Sequence, residues 1–490
     1  MRLPLVLLLL VLLGSSLEAQ RARRGPALDR RPLKNFLVVV VDDIGVEKLA
    51  AYGEAPAGVP VPCTPNIDRL AAEGLLFRNA WSNPMCSPSR AQLLTGRHGF
   101  RTGVGDAIPS VLDYGGLSED ELLLPAILPR HTSAVLGKWH VANFPMGFDH
   151  ALRLGFDEFR GSMWNLLRPP VEPATCTTGP PFDFFNWVRI DDRDGDGVLE
   201  EACTSKYATV DTTDDALDFL QRVDGPWLAY VSYHSAHTPI QEPPADLAPA
   251  SPTMGCPSSA YASSATDSVT VTNRMIEALD SELGRLLDFV RREHPNTVVF
   301  FTSDNGTASA STPITGADCF SANKVKGSLF EGGINVPMII AGVGVVPGEC
   351  SGLVSLTDLY ATIAELAFAV STTPDSVSMV PYLRGHQESL RRTVYAERFF
   401  PNQPRPDNPR TDPFQPDWHV RTVRGERFKL ARTTDEAGVS REYLFDLVLD
   451  PCETVNLCPS IFLCDPASLP LEAVQAYLEL RDELIALGVY

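Results

Sequence analysis

The chain of 490 residues is 44% hydrophobic and 21% charged, and it carries a formal net charge of -20 at neutral pH. These proportions exclude a disordered chain and provide for a large buried core. The acidic balance excludes a nucleic-acid binder, whose surface is basic, but not a small anionic substrate, because a few cations in a pocket override the global field.

Residues 1–20, MRLPLVLLLLVLLGSSLEAQ, pair Arg2 with a short apolar run and a small-residue exit, which reads as a signal peptide. The run is short for a membrane span; an uncleaved anchor is the alternative. No later segment is long and apolar enough to cross a bilayer, so a secreted or periplasmic protein without a stable membrane span is expected. Ten cysteines suit such a compartment, although their connectivity is not readable. Cys452, Cys458 and Cys464 lie close enough for one short local loop. Residues 21–33 are basic and irregular, a leader into the domain.

Residues 36–41, FLVVVV, form an unbroken apolar run that suits a strand buried on both faces, and it ends at Asp42-Asp43. A helical pattern follows at 66–73 and another at 90–95, the second just after Cys86-Ser87-Pro88-Ser89-Arg90. A second strand-like run, 133–136, leads into Lys138-Trp139-His140. The acidic stretch Asp192, Asp194, Asp196 with Gly197 has the alternation of the first half of an EF-hand loop, but its twelfth position is Cys203. A second calcium and a solvated acidic turn are both open there. A helix at 212–223 precedes the run 226–233, after which come His234 and His237. A long helix at 273–292 precedes the run 297–302, which exits into Asp304-Asn305-Gly306. Lys324, Lys326 and Glu331 then precede the run 337–341.

Strands alternating with helices predict an α/β fold: a large, mostly parallel central sheet sandwiched by helices. Past residue 385 the texture changes to short strands at 392–398, 419–423, 427–431 and 441–445 and a last helix at 471–487. This predicts a smaller C-terminal antiparallel sheet plus helix. The expected division is a catalytic domain at 34–385 and a C-terminal subdomain at 386–490. The proline-rich stretch 401–416 reads as a long surface loop.

Ligands of such sheets bind beyond the carboxyl ends of the strands, so the polar residues after each run are the candidates. Carboxylates at two strand ends can meet on one hard cation. A lone Asp-Asp after a strand could equally be a turn, and Lys138 with His140, taken alone, could be a solvated pair.

The residues Cys86-Ser87-Pro88-Ser89-Arg90, continuing to Thr95-Gly96, resemble the signature of the type I sulfatases, a formylglycine-dependent, arylsulfatase-like branch of the alkaline phosphatase superfamily. Lys138-Trp139-His140, His237-Thr238-Pro239 and the segment from Lys326 to Pro337 resemble three further motifs of that family. The resemblance implies that a formylglycine-generating enzyme converts Cys86 to an aldehyde, the nucleophile that cleaves a sulfate monoester and releases sulfate. It implies one Ca2+, or Mg2+, held by Asp42, Asp43, Asp304, Asn305 and the modified Cys86. Arg90 would brace the nucleophile, and Lys138 and Lys326 would hold the sulfate. His140 would be the base of sulfate elimination, and His237 would bind sulfate and protonate the leaving alcohol. Lys324 competes with Lys326, whose register to Gly327 and Glu331 favours it. One departure is Asn335, where the family has Arg. The substrate implied is a small-molecule or carbohydrate sulfate ester, with a phosphonate monoester or phosphodiester of the same superfamily as the alternative.

Overall fold

The central strand β1 (Asn35–Val41) divides its side chains between two cores: Phe36, Val38 and Val40 face one, and Leu37, Val39 and Val41 the other. That is why its sequence shows no alternation of polar and apolar residues. The computed structural model describes residues 32–109, 115–166, 183–191, 198–247, 267–312, 319–402, 416–460 and 462–488. The expected signal peptide, nearly all of the leader, the acidic residues Asp192, Asp194 and Asp196, and most of the proline-rich stretch lie outside the described residues.

Around β1 are β2 (Leu75–Trp81), β3 (Thr132–Lys138), β4 (Glu158–Ser162), β5 (Trp187–Asp191), β6 (Glu200–Thr204), β7 (Trp227–Ser232), β8 (Thr297–Ser303), β9 (Met338–Gly342) and β10 (Gly348–Ser355). They form a ten-stranded sheet in the order β10-β2-β9-β8-β1-β7-β3-β4-β5-β6. The strands flanking β1 run parallel to it, whereas β9 and β5 are antiparallel to their neighbours. The sheet is thus mixed and mostly parallel. The apolar run of β9 signalled burial on both faces but carried no information about direction. β2 and β10 escape a reading by apolar runs because Arg78 and Asn79 interrupt the first and the second is half exposed.

Helices α1 (Pro65–Glu73), α2 (Cys86–Thr95), α3 (Ala208–Arg222), α4 (Ser268–Glu293) and α5 (Asp358–Leu366) cover the sheet. The structure starts α2 four residues before the expected helix at Arg90. Every residue of α2 is buried, so no polar face marks its first turn.

A meander of β11 (Val394–Phe400), β12 (Trp418–Arg424), β13 (Phe428–Thr434) and β14 (Ser440–Asp446) forms the second, antiparallel sheet. One face packs Tyr395, Val423, Leu430 and Leu444 under α6 (Leu471–Ala486). The other presents Val394 and Ala396 to Trp81, Ile334 and Leu353 of the main body. Disulfides Cys458–Cys464 and Cys319–Cys452 fasten this region, the first as the expected local loop. Cys63 and Cys203 are also disulfide-bonded, while Cys86 and Cys350 are free thiols.

Asn335 has a local task of its own. Its Oδ1 accepts from the Ala80 amide at 3.0 Å and its Nδ2 donates to the Arg78 carbonyl at 3.2 Å, stitching the chain before β9 to β2. Glu331, four residues earlier, takes its cations from the second sheet instead: Arg424 at 2.8 Å and Lys429 at 3.1 Å.

Candidate active site

The register of β1 against β8 pairs Val41 with Ser303, so Asp42-Asp43 and Asp304-Asn305 leave the sheet side by side. Lys138 is the last residue of β3, two strands away, and His234 and His237 follow β7 between them. Cys86 opens α2, and Arg90 is one turn on, on the same helix face. Gly306 approaches the turn at Gly332 and Gly333 closely: its amide donates to the Gly333 carbonyl at 3.0 Å, and a Cβ on it would lie 1.9 Å from the Gly332 carbonyl oxygen. This close approach seats the segment bearing Lys326 against the exit of β8.

Asp42, Asp43, Cys86, Arg90, Lys138, His140, Asp304 and Asn305 are all buried. Carboxylate oxygens of Asp42 and Asp304 and the Cys86 Sγ lie within 4.8 Å of one another. Atoms of Asp42, Asp43 and His237 form a second such group, which the sequence reading did not foresee for His237. Arg90 donates Nε and Nη2 to Asp304 Oδ2 at 3.0 and 2.7 Å, Nη1 to the Lys138 carbonyl at 3.2 Å, and a further bond to Ser232 Oγ. Lys138 Nζ pairs with Asp42 Oδ2 and donates to Asn165 Oδ1 at 2.5 Å. Lys326 Nζ reaches Asp43 Oδ1 at 2.5 Å, whereas Lys324 turns away to the Cys452 carbonyl. The register argument thus picked the lysine that enters the cluster. Asp43 and His140 both hold left-handed backbone, at φ 61° and 56°, costly for residues with a Cβ and characteristic of over-determined sites.

The electrostatics are those of a crowded, buried cluster in which three carboxylates face Arg90, Lys138 and Lys326. Burial works against the charge on Asp42, yet Lys138, His237 and Arg90 hold its carboxyl well below the usual range. Burial and the charge on Asp42 push Asp43 up, and they push Asp304 up to about 6 even with Arg90 against it. Burial also raises the Cys86 thiol. Burial and Lys138 keep His140 neutral, far below its ordinary value. His237 falls to about 3 through burial and Lys326. Its Nδ1 donates to the Thr238 carbonyl at 2.7 Å, so the neutral ring presents Nε2 as an acceptor and donates from it only after gaining a proton. His234 turns its Nε2 to the Trp164 carbonyl.

Asp42 Oδ1 and Asn305 Oδ1 are buried without a hydrogen-bond partner. Orphaned oxygens beside carboxylates whose charge burial opposes are the donor set a hard divalent cation takes, and the residues present fit one. Ser232 and Asn165 are the supporting residues that sequence missed. Ser232 had a weak signal as a polar residue near the end of the 226–233 run; Asn165 had none.

Residues 34–369 match the sequence model of the Sulfatase family. The chain is 33% identical to human (Homo sapiens) N-acetylgalactosamine-6-sulfatase over 374 residues, 71% of this chain and 65% of that protein, so the match spans just under two thirds of the relative's length. It is 28% identical to bovine (Bos taurus) arylsulfatase A over 484 residues, 91% of this chain and 87% of the relative. Among solved structures it is similar in fold to Ps i-CgsB in complex with k-i-k-neocarrahexaose, with a TM-score of 0.66 at 22% identity, covering 93% of this chain and 92% of that one.

Proposed function

Because the chain belongs to the sulfatase family, we propose that it is a sulfuric ester hydrolase that cleaves a sulfate monoester and releases inorganic sulfate, with residue 86 as its nucleophile. One observation carries this reading. An unpaired, buried Cys86 opens a helix within 4.8 Å of the Asp42 and Asp304 carboxylates. As a thiol it is a poor nucleophile, since burial raises its pKa while reactive cysteines have theirs lowered. Conversion to formylglycine removes that difficulty. Hydrated, the aldehyde supplies one oxygen to attack sulfur and a second whose deprotonation releases sulfate. Asp42, Asp43, Asp304, Asn305 and the oxidised residue 86 would hold one Ca2+ or Mg2+. When bound, that ion supplies electrostatic stabilisation to the ester oxygens.

The chain's own side chains supply the rest. Arg90 fixes the Asp304 carboxylate and braces the first turn of α2. Lys138 and Lys326 bring positive charge to the sulfate position; burial works against the charge on Lys326, but the Asp43 carboxylate beside it keeps the ammonium protonated, with a proton to give to the leaving oxygen. His140, neutral and with its Nδ1 unpartnered, is the base that takes the nucleophile's proton when sulfate leaves. His237 contributes to sulfate binding and acts as a donor only after protonation. The two named relatives support an aryl or carbohydrate sulfate ester as substrate. The six cysteines that are disulfide-bonded among the described residues support export and an oxidising compartment. Among the described residues no helix is long and apolar enough to cross a membrane. We also propose the boundary between a catalytic domain and a C-terminal subdomain near residue 385.

The test is peptide mass mapping of active protein made together with a formylglycine-generating enzyme. The peptide containing residue 86 should be lighter by the thiol-to-aldehyde difference, and the protein should turn over an aryl sulfate faster than an aryl phosphonate. Active protein carrying only the thiol would sink the mechanism, and a preference for the phosphonate would move the chain to the alternative reaction.

A further inference from the structure

The nucleophile is buried, so substrate reaches it past the partly exposed residues beside it: Met85, Lys326 and Gly327. A second charged pair stands on this rim. Arg398, on β11, donates Nη1 to the Gly327 carbonyl at 3.0 Å, one residue from Lys326. Its Nε and Nη2 lie 3.0 Å from Asp106 Oδ2. The segment bearing Asp106 is itself tied to the nucleophile helix, because the Ile108 amide donates to Ser87 Oγ at 2.9 Å. A Cβ placed on Gly327 would find only Arg398 Nη1, at 3.4 Å, and Met85 Sδ, at 3.9 Å, within 4 Å. The guanidinium therefore edges an open space that borders the residue before Cys86.

The pair is fixed in place yet not used up. The Trp418 ring lies 5.4 Å from the guanidinium, and the Asn402 side chain holds the Gly105 and Asp106 amides at 2.8 Å each. The contacts named here occupy three of the five N–H groups of the guanidinium, and the Arg398 side chain keeps 27% of its surface exposed. A free anion is a poor match for these groups, since Asp106 already offsets the charge of Arg398. Hydroxyl groups are a good one: each can accept from the guanidinium fork and donate to the carboxylate.

We propose that Arg398 and Asp106 form the specificity-determining subsite for the alcohol part of the ester, and that it takes a hydroxylated sugar ring. This rests on the sulfate-ester reading above and names the substrate class of that same site. The two charged side chains are placed to read ring hydroxyls next to the sulfated carbon, while a simple aryl ring gives them nothing to bind.

The experiment compares kcat/KM on 4-nitrophenyl sulfate and on a monosulfated hexosamine for the full chain and for Arg398→Met, Arg398→Lys and Asp106→Asn, with thermal midpoints as a control for folding. The expected result is a loss of about tenfold or more on the sulfated sugar, mainly in KM, with aryl sulfate turnover within about twofold of the parent. Arg398→Lys keeps the charge but not the fork and should recover only part of the loss. Equal losses on both substrates, or no loss on either, would overturn the subsite, as would a parent enzyme that turns over the aryl ester but not the sugar. Failure of the parent on both substrates would instead overturn the sulfatase reading itself.

Discussion

Two buried clusters of charge in this molecule look alike in composition and differ in completeness. Beyond β1 and β8, Asp42, Asp43 and Asp304 meet Arg90, Lys138 and Lys326 and still leave Asp42 Oδ1 and Asn305 Oδ1 without partners. Against the second sheet, Lys429 lies between Glu331 at 3.1 Å and Glu453 at 2.8 Å, Arg424 closes on Glu331, and Glu453 accepts from the Glu331 amide at 2.7 Å. Every one of those four charges has an opposite partner, and Glu453 Oε1, which has no hydrogen bond, faces the Lys429 ammonium at 2.8 Å. A buried network with its charges matched locks one packing arrangement, whereas a network with oxygens left over has room for a ligand. The Glu331 cluster therefore reads as the fastening of the Lys326 segment to the C-terminal sheet, and the Asp42 cluster as the site at which we propose the chemistry occurs.

The largest effects should separate the two clusters by activity. Cys86→Ala should cut turnover by about 10⁴-fold or more while keeping the thermal midpoint and a reduced rise on adding calcium, because the other four ligands proposed for the ion remain. Asp42→Asn should lose both turnover and the calcium-dependent rise, since Asp42 is the carboxylate shared by both groups of converging ligand atoms. A midpoint in Asp42→Asn that still climbs with calcium would move the cation elsewhere. Next in size, Lys429→Met should destabilise the fold by about 3–5 kcal/mol, because it leaves Glu331 and Glu453 buried and facing each other. The calcium-dependent shift should survive in that variant; its loss would mean that the two clusters are one device.

The smallest effect concerns the support of Lys138 and His140, for which we propose catalytic roles. Trp139, between Lys138 and His140, donates its indole N–H to His150 Nδ1 at 3.1 Å, while His150 Nε2 donates to the Leu117 carbonyl at 2.9 Å. That bonding uses the neutral ring fully, and burial lowers its pKa to about 4. The folded value lies below the usual 6.5, so His150 contributes stability that is present above that pH and is lost as pH falls toward 4. The loss should reach no more than about 3 kcal/mol. Thermal midpoints measured from about pH 7 down to about pH 4.5 should fall less steeply in His150→Gln than in the parent, and parallel curves would rule out this histidine as the cause.

Much of this was legible before any coordinate. The run from Phe36 to Val41 suited a doubly buried strand, and the polar residues at its exit and at that of the 297–302 run were the candidates to meet at one edge of a parallel sheet. Arg90 could be placed on a helix and Cys86 just before it, although the structure extends that helix back to Cys86. Three things were beyond sequence. The direction of β9 was hidden because burial on two faces reads the same in either orientation. β2 and β10 were hidden because partial exposure blurs their pattern. The use of Arg424 and Lys429 to neutralise Glu331 joins residues 93 and 98 positions apart. Local chemistry is written in neighbouring residues and their periodicity, so strands, caps and motifs could be read from the chain. Which cation meets which carboxylate, and which oxygen is left without one, depends on how distant segments pack, and only the tertiary structure decided it.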